Sequence, residues 1–168
     1  MFDVEVGGVA YRESAIEDAG DEVVTAPVGE IELGLAICYD VRFPELLRFL
    51  AIRGARLIAL PSAFTVPTGQ DHWEVLVRAR AIENQVFMLA ADQIGETPPQ
   101  YNSWGHSMIV DPWGRVLATA PEEECFVAAD LDLAEQARIR ESLPALANRR
   151  PGAYRWPEEA QLEVPSHA

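Results

Sequence analysis

Ile31-Glu-Leu-Gly-Leu-Ala-Ile-Cys38, Tyr39-Asp-Val-Arg-Phe-Pro-Glu45, Leu46-Leu-Arg-Phe-Leu-Ala-Ile-Arg53 and Gly54-Ala-Arg-Leu-Ile-Ala-Leu60 read in turn as strand, turn, helix and strand. Pro44 suits a first helical position, Leu46, Leu47, Leu50 and Ala51 recur at helical spacing, and Gly54 supplies the stop. Two apolar strands joined by a helix of this length favour a right-handed parallel crossover. Cys38 is then expected at the carboxyl end of a strand, beside the start of a helix. Backbone N–H groups there can stabilise a thiolate and the oxyanion of an attached carbonyl. That makes Cys38 a candidate nucleophile. The competing reading is a buried strand cysteine, the commoner fate of this residue.

Working outward, Glu22–Ala26 reads as a strand joined to Ile31–Cys38 through Pro27-Val-Gly29, a hairpin. Downstream, Ser62 to Asp71 is small and polar, a loop over the carboxyl ends of the strands where ligand contacts concentrate. His72–Asn84 reads as a helix and Val86–Ala91 as a buried strand, so the β-α-β rhythm repeats. Ser107–Val110 and Arg115–Thr119 flank the turn Asp111-Pro-Trp-Gly114 and form an antiparallel hairpin. Phe126–Leu131 reads as a further strand, and a helix of about ten residues starts at Leu133 with Asp132 as N-cap. The architecture expected is α/β, one mixed sheet with helices on one face. A single domain over residues 1–156 is followed by a polar tail, residues 157–168.

At 168 residues and 49% apolar content the chain can bury a substantial core. Its net charge of −14 argues against nucleic acid, whose binders present basic patches that displace counterions. No apolar run reaches the length of a membrane span, and Met1-Phe-Asp-Val-Glu lacks a secretory pattern, so a cytoplasmic protein with no membrane partner is expected. Cys38 and Cys125 are expected as free thiols, Cys125 in the core. His72, His106 and His167 are scattered, without metal-ligand spacing, so neither a metal nor another cofactor is expected. All 13 cationic residues are arginines; the chain has no lysine.

Gly34-Leu-Ala-Ile-Cys-Tyr-Asp-Val-Arg-Phe-Pro-Glu45, Pro61-Ser-Ala-Phe64, Thr68-Gly69, His72-Trp-Glu74, Arg78-Ala-Arg-Ala-Ile-Glu-Asn84, Gly105-His-Ser107 and Asp111-Pro-Trp-Gly114 together resemble the nitrilase, or carbon–nitrogen hydrolase, superfamily. Within it the chain is most similar to the Nit branch, which includes omega-amidases and amidases of deaminated glutathione. One such motif is weak; all of them in order are specific. The resemblance implies a nitrilase-like α-β-β-α sandwich and a cysteine that attacks an amide or nitrile carbon to give a thioester, which water hydrolyses. Cys38 matches that nucleophile. Tyr11-Arg-Glu-Ser14 resembles the motif carrying a second glutamate, which points to Glu13. The resemblance further implies a small carboxylate-bearing amide as substrate; exposed sheet edges are expected to pair the chain with itself, as a homo-oligomer, or with an amino-terminal partner.

The family's lysine precedes a Leu-Phe-Asp segment that this chain matches only at Phe2-Asp3, and its triad glutamate lies further upstream. The chain therefore resembles the C-terminal portion of the domain, and impaired turnover is expected of it alone. A non-catalytic homologue serving as an interaction or oligomerisation module is the competing reading. A redox role for Cys38 and Cys125 lacks Cys-x-x-Cys spacing.

Tyr39, through its backbone N–H, Phe64 and Thr68 are expected to bind substrate, although Phe64 equally suits the core. Glu13 without the motif reads as a surface carboxylate; with it, as a group that positions substrate or lysine. Arg42 and Glu45 suggest an ion pair bracing the turn, and Arg78, Arg80 and Glu83 suggest charge pairing along a helix. A structural hydrogen bond is expected of His106, and packing of Trp73, Trp104 and Trp113. Tyr154 is a candidate oligomer contact.

Overall fold

The computed structural model describes residues 1–6, 8–97 and 101–153. Its centre is a six-stranded mixed sheet, in which β3 (Thr25–Val28), β4 (Ile31–Leu35), β5 (Ala55–Ala59), β6 (Phe87–Ala90), β9 (Met108–Val110) and β10 (Val116–Thr119) lie side by side in that order. The pairs β4–β5 and β5–β6 are parallel, and the other three are antiparallel. Both parallel connections carry a helix, as the apolar runs require: α1 (Pro44–Ile52) joins β4 to β5, and α2 (Val66–Asn84) joins β5 to β6. Two hairpins stand apart from this sheet, β1 (Asp3–Val6) with β2 (Val9–Arg12), and β7 (Ile94–Thr97) with β8 (Tyr101–Trp104).

Side-chain alternation divides the sheet into two unlike faces. One face, with Gly34, Ile58, Met88 and Val110 in register, is buried under Leu47 and Leu50 of α1 and Trp73, Val77 and Ala81 of α2. Completely covering one Leu or Val side chain contributes on the order of 1.5–3 kcal/mol, so this layer is the main source of stability. Gly34 fits closely at its centre: a Cβ there would lie 3.1 Å from both Ile58 and Leu50, which would have to give by a few tenths of an ångström. The other face carries Leu33, Leu35, Leu57, Ala59, Leu89 and Ile109, none of them fully buried. It is apolar and only partly covered.

A third helix, α3 (Leu133–Ser142), begins as expected at Asp132, whose carboxylate accepts the Glu135 N–H at 2.8 Å. It is fastened by polar groups. Buried Gln136 donates to the carbonyls of Arg56 and Gln85, and Arg140 donates to Gln85, which ends α2 in a left-handed conformation.

Several sequence expectations need correction. The strand expected to end at Cys38 ends at Leu35, and the strand expected from Glu22 starts at Thr25, with Pro27 and Val28 inside it. Helix α2 begins at Val66, six residues before His72, so Thr68 lies in its first turn and not in a loop. Thr65 is the N-cap and Pro67 stands in the first turn, and the glycine that follows suits a close fit against the β7–β8 hairpin: a Cβ on Gly69 would overlap the Trp104 ring. The strand expected over Phe126–Leu131 is absent from the described residues, and Phe126 is 90% exposed because no neighbouring strand takes up that segment. Cys125 is accordingly exposed, not core, and Trp113 is likewise exposed. The tail beyond Ala153, including Tyr154, lies outside the described residues. No helix among the described residues is long and apolar enough to cross a membrane.

Candidate active site

The polypeptide leaves β4, stays extended through Ile37 and turns sharply into a short 3-10 segment, Cys38–Arg42. Cys38 opens that turn with φ of +44°, a left-handed conformation that a residue with a Cβ adopts at a cost of about 1–3 kcal/mol. The surroundings hold it there from several sides. Its N–H donates to the Pro61 carbonyl at 2.9 Å, and Asp40 Oδ2 accepts the Ile37 N–H at 2.8 Å while the Asp40 N–H donates to the Ile37 carbonyl. From α2, the buried Arg80 guanidinium donates to the Val41 carbonyl at 2.7 Å and pairs with Glu83 at 3.1 Å. Arg80 therefore does more than brace its own helix; it clamps the turn that follows the thiol.

The Cys38 sulfur is half-buried. Burial pushes the thiol up, the Ala63 backbone N–H pulls it down, the charges of Asp92 and Glu13 push it up further, and the Tyr39 N–H pulls it down. Two main-chain donors from different segments thus act on one sulfur atom, the arrangement that also suits a carbonyl oxygen developing negative charge.

Glu13 occupies a short 3-10 turn after β2, and its carboxylate accepts the Phe2 N–H at 2.6 Å. The Phe2 ring contacts the Tyr39 ring edge-on at 5.1 Å between centroids, so the N-terminal hairpin is docked against the residue that follows the thiol. Glu13 is exposed, yet its charge reaches Cys38. Phe64 is 4% exposed and packs on Trp73 at 4.9 Å, so its ring belongs to the core. Thr68 Oγ1 lies 2.9 Å from Thr65 Oγ1, pairing the first turn of α2 with its own N-cap residue.

Arg42 differs from expectation. Among the described residues it forms no ion pair with Glu45; its guanidinium lies 5.6 Å from the Tyr39 ring centre and 5.3 Å from that of Phe64, and donates to His72 Nδ1 at 3.3 Å. His106 is structural, as expected, with Nδ1 2.9 Å from the Trp104 carbonyl and its ring stacked on Trp104.

Asp92 was not singled out in the sequence, where Ala90-Ala-Asp92 reads only as the end of a strand. It lies just past β6, with its Oδ1 accepting the Phe64 N–H at 2.9 Å. Burial raises its carboxyl to about 7, against the pull of the Phe64, Gly105 and Gln93 N–H groups. Asp92 is also among the residues that line an open hollow of about 340 Å³, with Glu96, His106, Glu123, Glu124 and Cys125. Cys38 is not among the residues that line that hollow. No group of His, Cys, Asp and Glu among the described residues could hold a metal ion.

The family model for carbon-nitrogen hydrolases matches residues 1–141. The chain is 48% identical over 158 residues to the nitrilase and fragile histidine triad fusion protein NitFhit of Caenorhabditis elegans, covering 92% of this chain and 36% of that protein. The crystal structure of that protein superposes with a TM-score of 0.81, covering 92% of this chain and 38% of the other. Omega-amidase NIT2 of Mus musculus is 42% identical over 155 residues, 92% of this chain and 56% of the relative. An amidase of Nesterenkonia sp. AN1, solved with the acetamide moiety of fluoroacetamide covalently added at its active-site cysteine, is 30% identical with a TM-score of 0.71, covering 84% of this chain and 50% of that one. The chain spans roughly a third to a little over half of the length of these relatives. The chain belongs to the carbon-nitrogen hydrolase, or nitrilase, superfamily, in its Nit-type branch.

Proposed function

We propose that the chain carries the nucleophile of an amidase that cleaves a small carboxylate-bearing amide through a thioester on Cys38. The observation that carries this reading is the left-handed Cys38 turn, fixed by the hydrogen bond from the Cys38 N–H to the Pro61 carbonyl. In the first half-reaction a bond forms from Sγ to the amide carbon, the C–N bond breaks, and the nitrogen leaves as ammonia with the thiol proton. In the second, water adds to the thioester carbonyl, the C–S bond breaks, and the carboxylic acid leaves as the thiol is restored.

Tyr39 N–H holds the oxyanion in both steps. Glu13, anchored on the Phe2 N–H, positions the substrate or the lysine partner. Phe64 and Thr68 border the substrate space, the first as its buried floor. A substrate carboxylate is matched by Arg42, a guanidinium over Tyr39 and Phe64 that has no carboxylate partner among the described residues. None of the 168 residues is a lysine, the second oxyanion donor that the resemblance implies. Losing one oxyanion donor typically costs on the order of 100- to 1,000-fold. The lysine-free composition also favours a second reading, a non-catalytic module that retains the assembly surfaces.

Mass spectrometry after incubation with a small omega-amide decides between them. An acyl adduct on Cys38, absent in Cys38→Ala, is the expected outcome; an unmodified thiol at all times leaves the non-catalytic module.

A further inference from the structure

We propose that Asp92 is a positioning residue for the nucleophile: it holds the loop that presents the Ala63 N–H to the Cys38 sulfur, and its negative charge, when present, opposes formation of the thiolate across that loop. The proposal rests on the reading of Cys38 as the nucleophile.

The loop after β5 is gripped from two sides. On one side the Cys38 N–H donates to the Pro61 carbonyl, and the Ala63 N–H acts on the Cys38 sulfur. On the other, Ser62 and Asp92 form a parallel bridge, with Ser62 N–H donating to Ala91 and Gln93 N–H donating to Ser62, and Asp92 Oδ1 accepts the Phe64 N–H. Adjacent N–H groups of one loop thus serve the thiol and the carboxylate. Asp92 is itself fixed by Ser107, whose hydroxyl accepts the Asp92 N–H and donates to its carbonyl.

The side chain is 8% exposed and its Oδ2 has no hydrogen-bond partner among the described residues. For a group whose sole task is to accept the Phe64 N–H, an asparagine satisfies the same donor without a buried charge. The carboxylate instead adds a charge that Cys38 senses directly. Because the Asp92 carboxyl is raised to about 7, it is neutral in mildly acid solution and charged in mildly alkaline solution. The thiol is therefore easiest to ionise, relative to an isolated thiol in the same place, below neutrality. Other charges bear on the pair. Glu13 acts on Cys38 in the same direction as Asp92, Arg42 lies in the same turn with His72 of α2 against it, and Glu96, His106, Glu123 and Glu124 line the same hollow as Asp92.

The test is the rate of Cys38 alkylation by iodoacetamide from pH 5 to 10, in the whole chain carrying Cys125→Ser so that one thiol reacts. Asp92→Asn retains the acceptor for Phe64 and removes the charge. Its profile is expected to move to lower pH, with alkylation at pH 8 faster by about threefold. A folded Asp92→Asn chain whose profile superposes on the parent overturns the proposal. Should that variant not fold, the parent decides alone: its profile should bend near pH 7 as Asp92 gains charge, and a simple one-thiol curve overturns the proposal. Loss of the amidase reading shows separately, as an alkylatable Cys38 that forms no acyl adduct.

Discussion

Arg80 and Val41 meet at 2.7 Å, the guanidinium of the long helix donating to the carbonyl three residues past Cys38. Since Arg80 is 8% exposed and also pairs with Glu83, it transmits the placement of α2 to the thiol turn. Replacing Arg80 by Leu strands the Val41 carbonyl and removes the ion pair with Glu83, which keeps Asn84 Nδ2 as a donor. The expected loss is about 2–3 kcal/mol of stability, read by urea unfolding. Slower alkylation of Cys38 in the fraction that remains folded should accompany it.

Asp40 closes the same turn from within through the Ile37 N–H. Its removal resembles loss of an N-cap, so Asp40→Ala should cost about 1 kcal/mol. Asp40→Asn, which keeps an acceptor oxygen, should recover most of it. Equal losses for the two variants in thermal unfolding contradict this role.

Gly69 is the point where α2 and the β7–β8 hairpin touch. A methyl group there overlaps the Trp104 ring, whose stacked neighbour His106 supplies the carbonyl that accepts Trp73 Nε1. Gly69→Ala improves helix propensity yet should destabilise by about 1–3 kcal/mol, because overpacking outweighs the smaller propensity gain. Near-UV circular dichroism should report the displaced tryptophans.

This contact also marks the boundary of what the sequence conveys. The crossover around Cys38, α1 and α3 follow from local signals: an apolar run, proline at a helix start, an aspartate at an N-cap. The start of α2 does not, since Pro67 and Gly69 read as loop residues until Trp104 is seen to require the glycine. The β7–β8 hairpin carries no such signal, because Ile94-Gly-Glu-Thr97 and Tyr101-Asn-Ser-Trp104 lack a clear apolar alternation. Phe126-Val-Ala-Ala129 has a strand-like composition but no described strand beside it. At the site, the motifs led to Cys38 and Glu13. Asp92 and Arg80 act through the main chain of loops distant in sequence, a kind of contact that periodicity does not reveal.

Asp92 also links stability to pH. In the unfolded chain an aspartate titrates near 3.9, whereas in the fold it is raised to about 7, so between these values the folded state binds the extra proton. Stability should therefore fall as pH rises from about 4 to 7, by no more than about 1.4 kcal/mol per pH unit for this one proton. Below that window the carboxyl is protonated in both states and contributes nothing. Urea unfolding at pH 4.5, 6 and 7.5 should show the parent losing stability relative to Asp92→Asn across the series. A constant difference between the two chains removes Asp92 as the cause.

The two faces of the main sheet set the last expectation. Leu33, Leu35, Leu57, Ala59, Leu89 and Ile109 form an apolar surface with helices on the opposite side only, and Leu35 is 41% exposed. Contiguous apolar surface of this kind drives association, and the outer strands β3 and β10 add edges with no further strand beside them among the described residues. The purified chain should therefore elute from size-exclusion chromatography larger than a monomer. Leu35→Glu, placing a charge at the centre of the surface, should shift it toward monomer with little effect on the buried α1–α2 side. A monodisperse parent monomer contradicts the expectation, and an unchanged oligomer in Leu35→Glu places the contact on another surface.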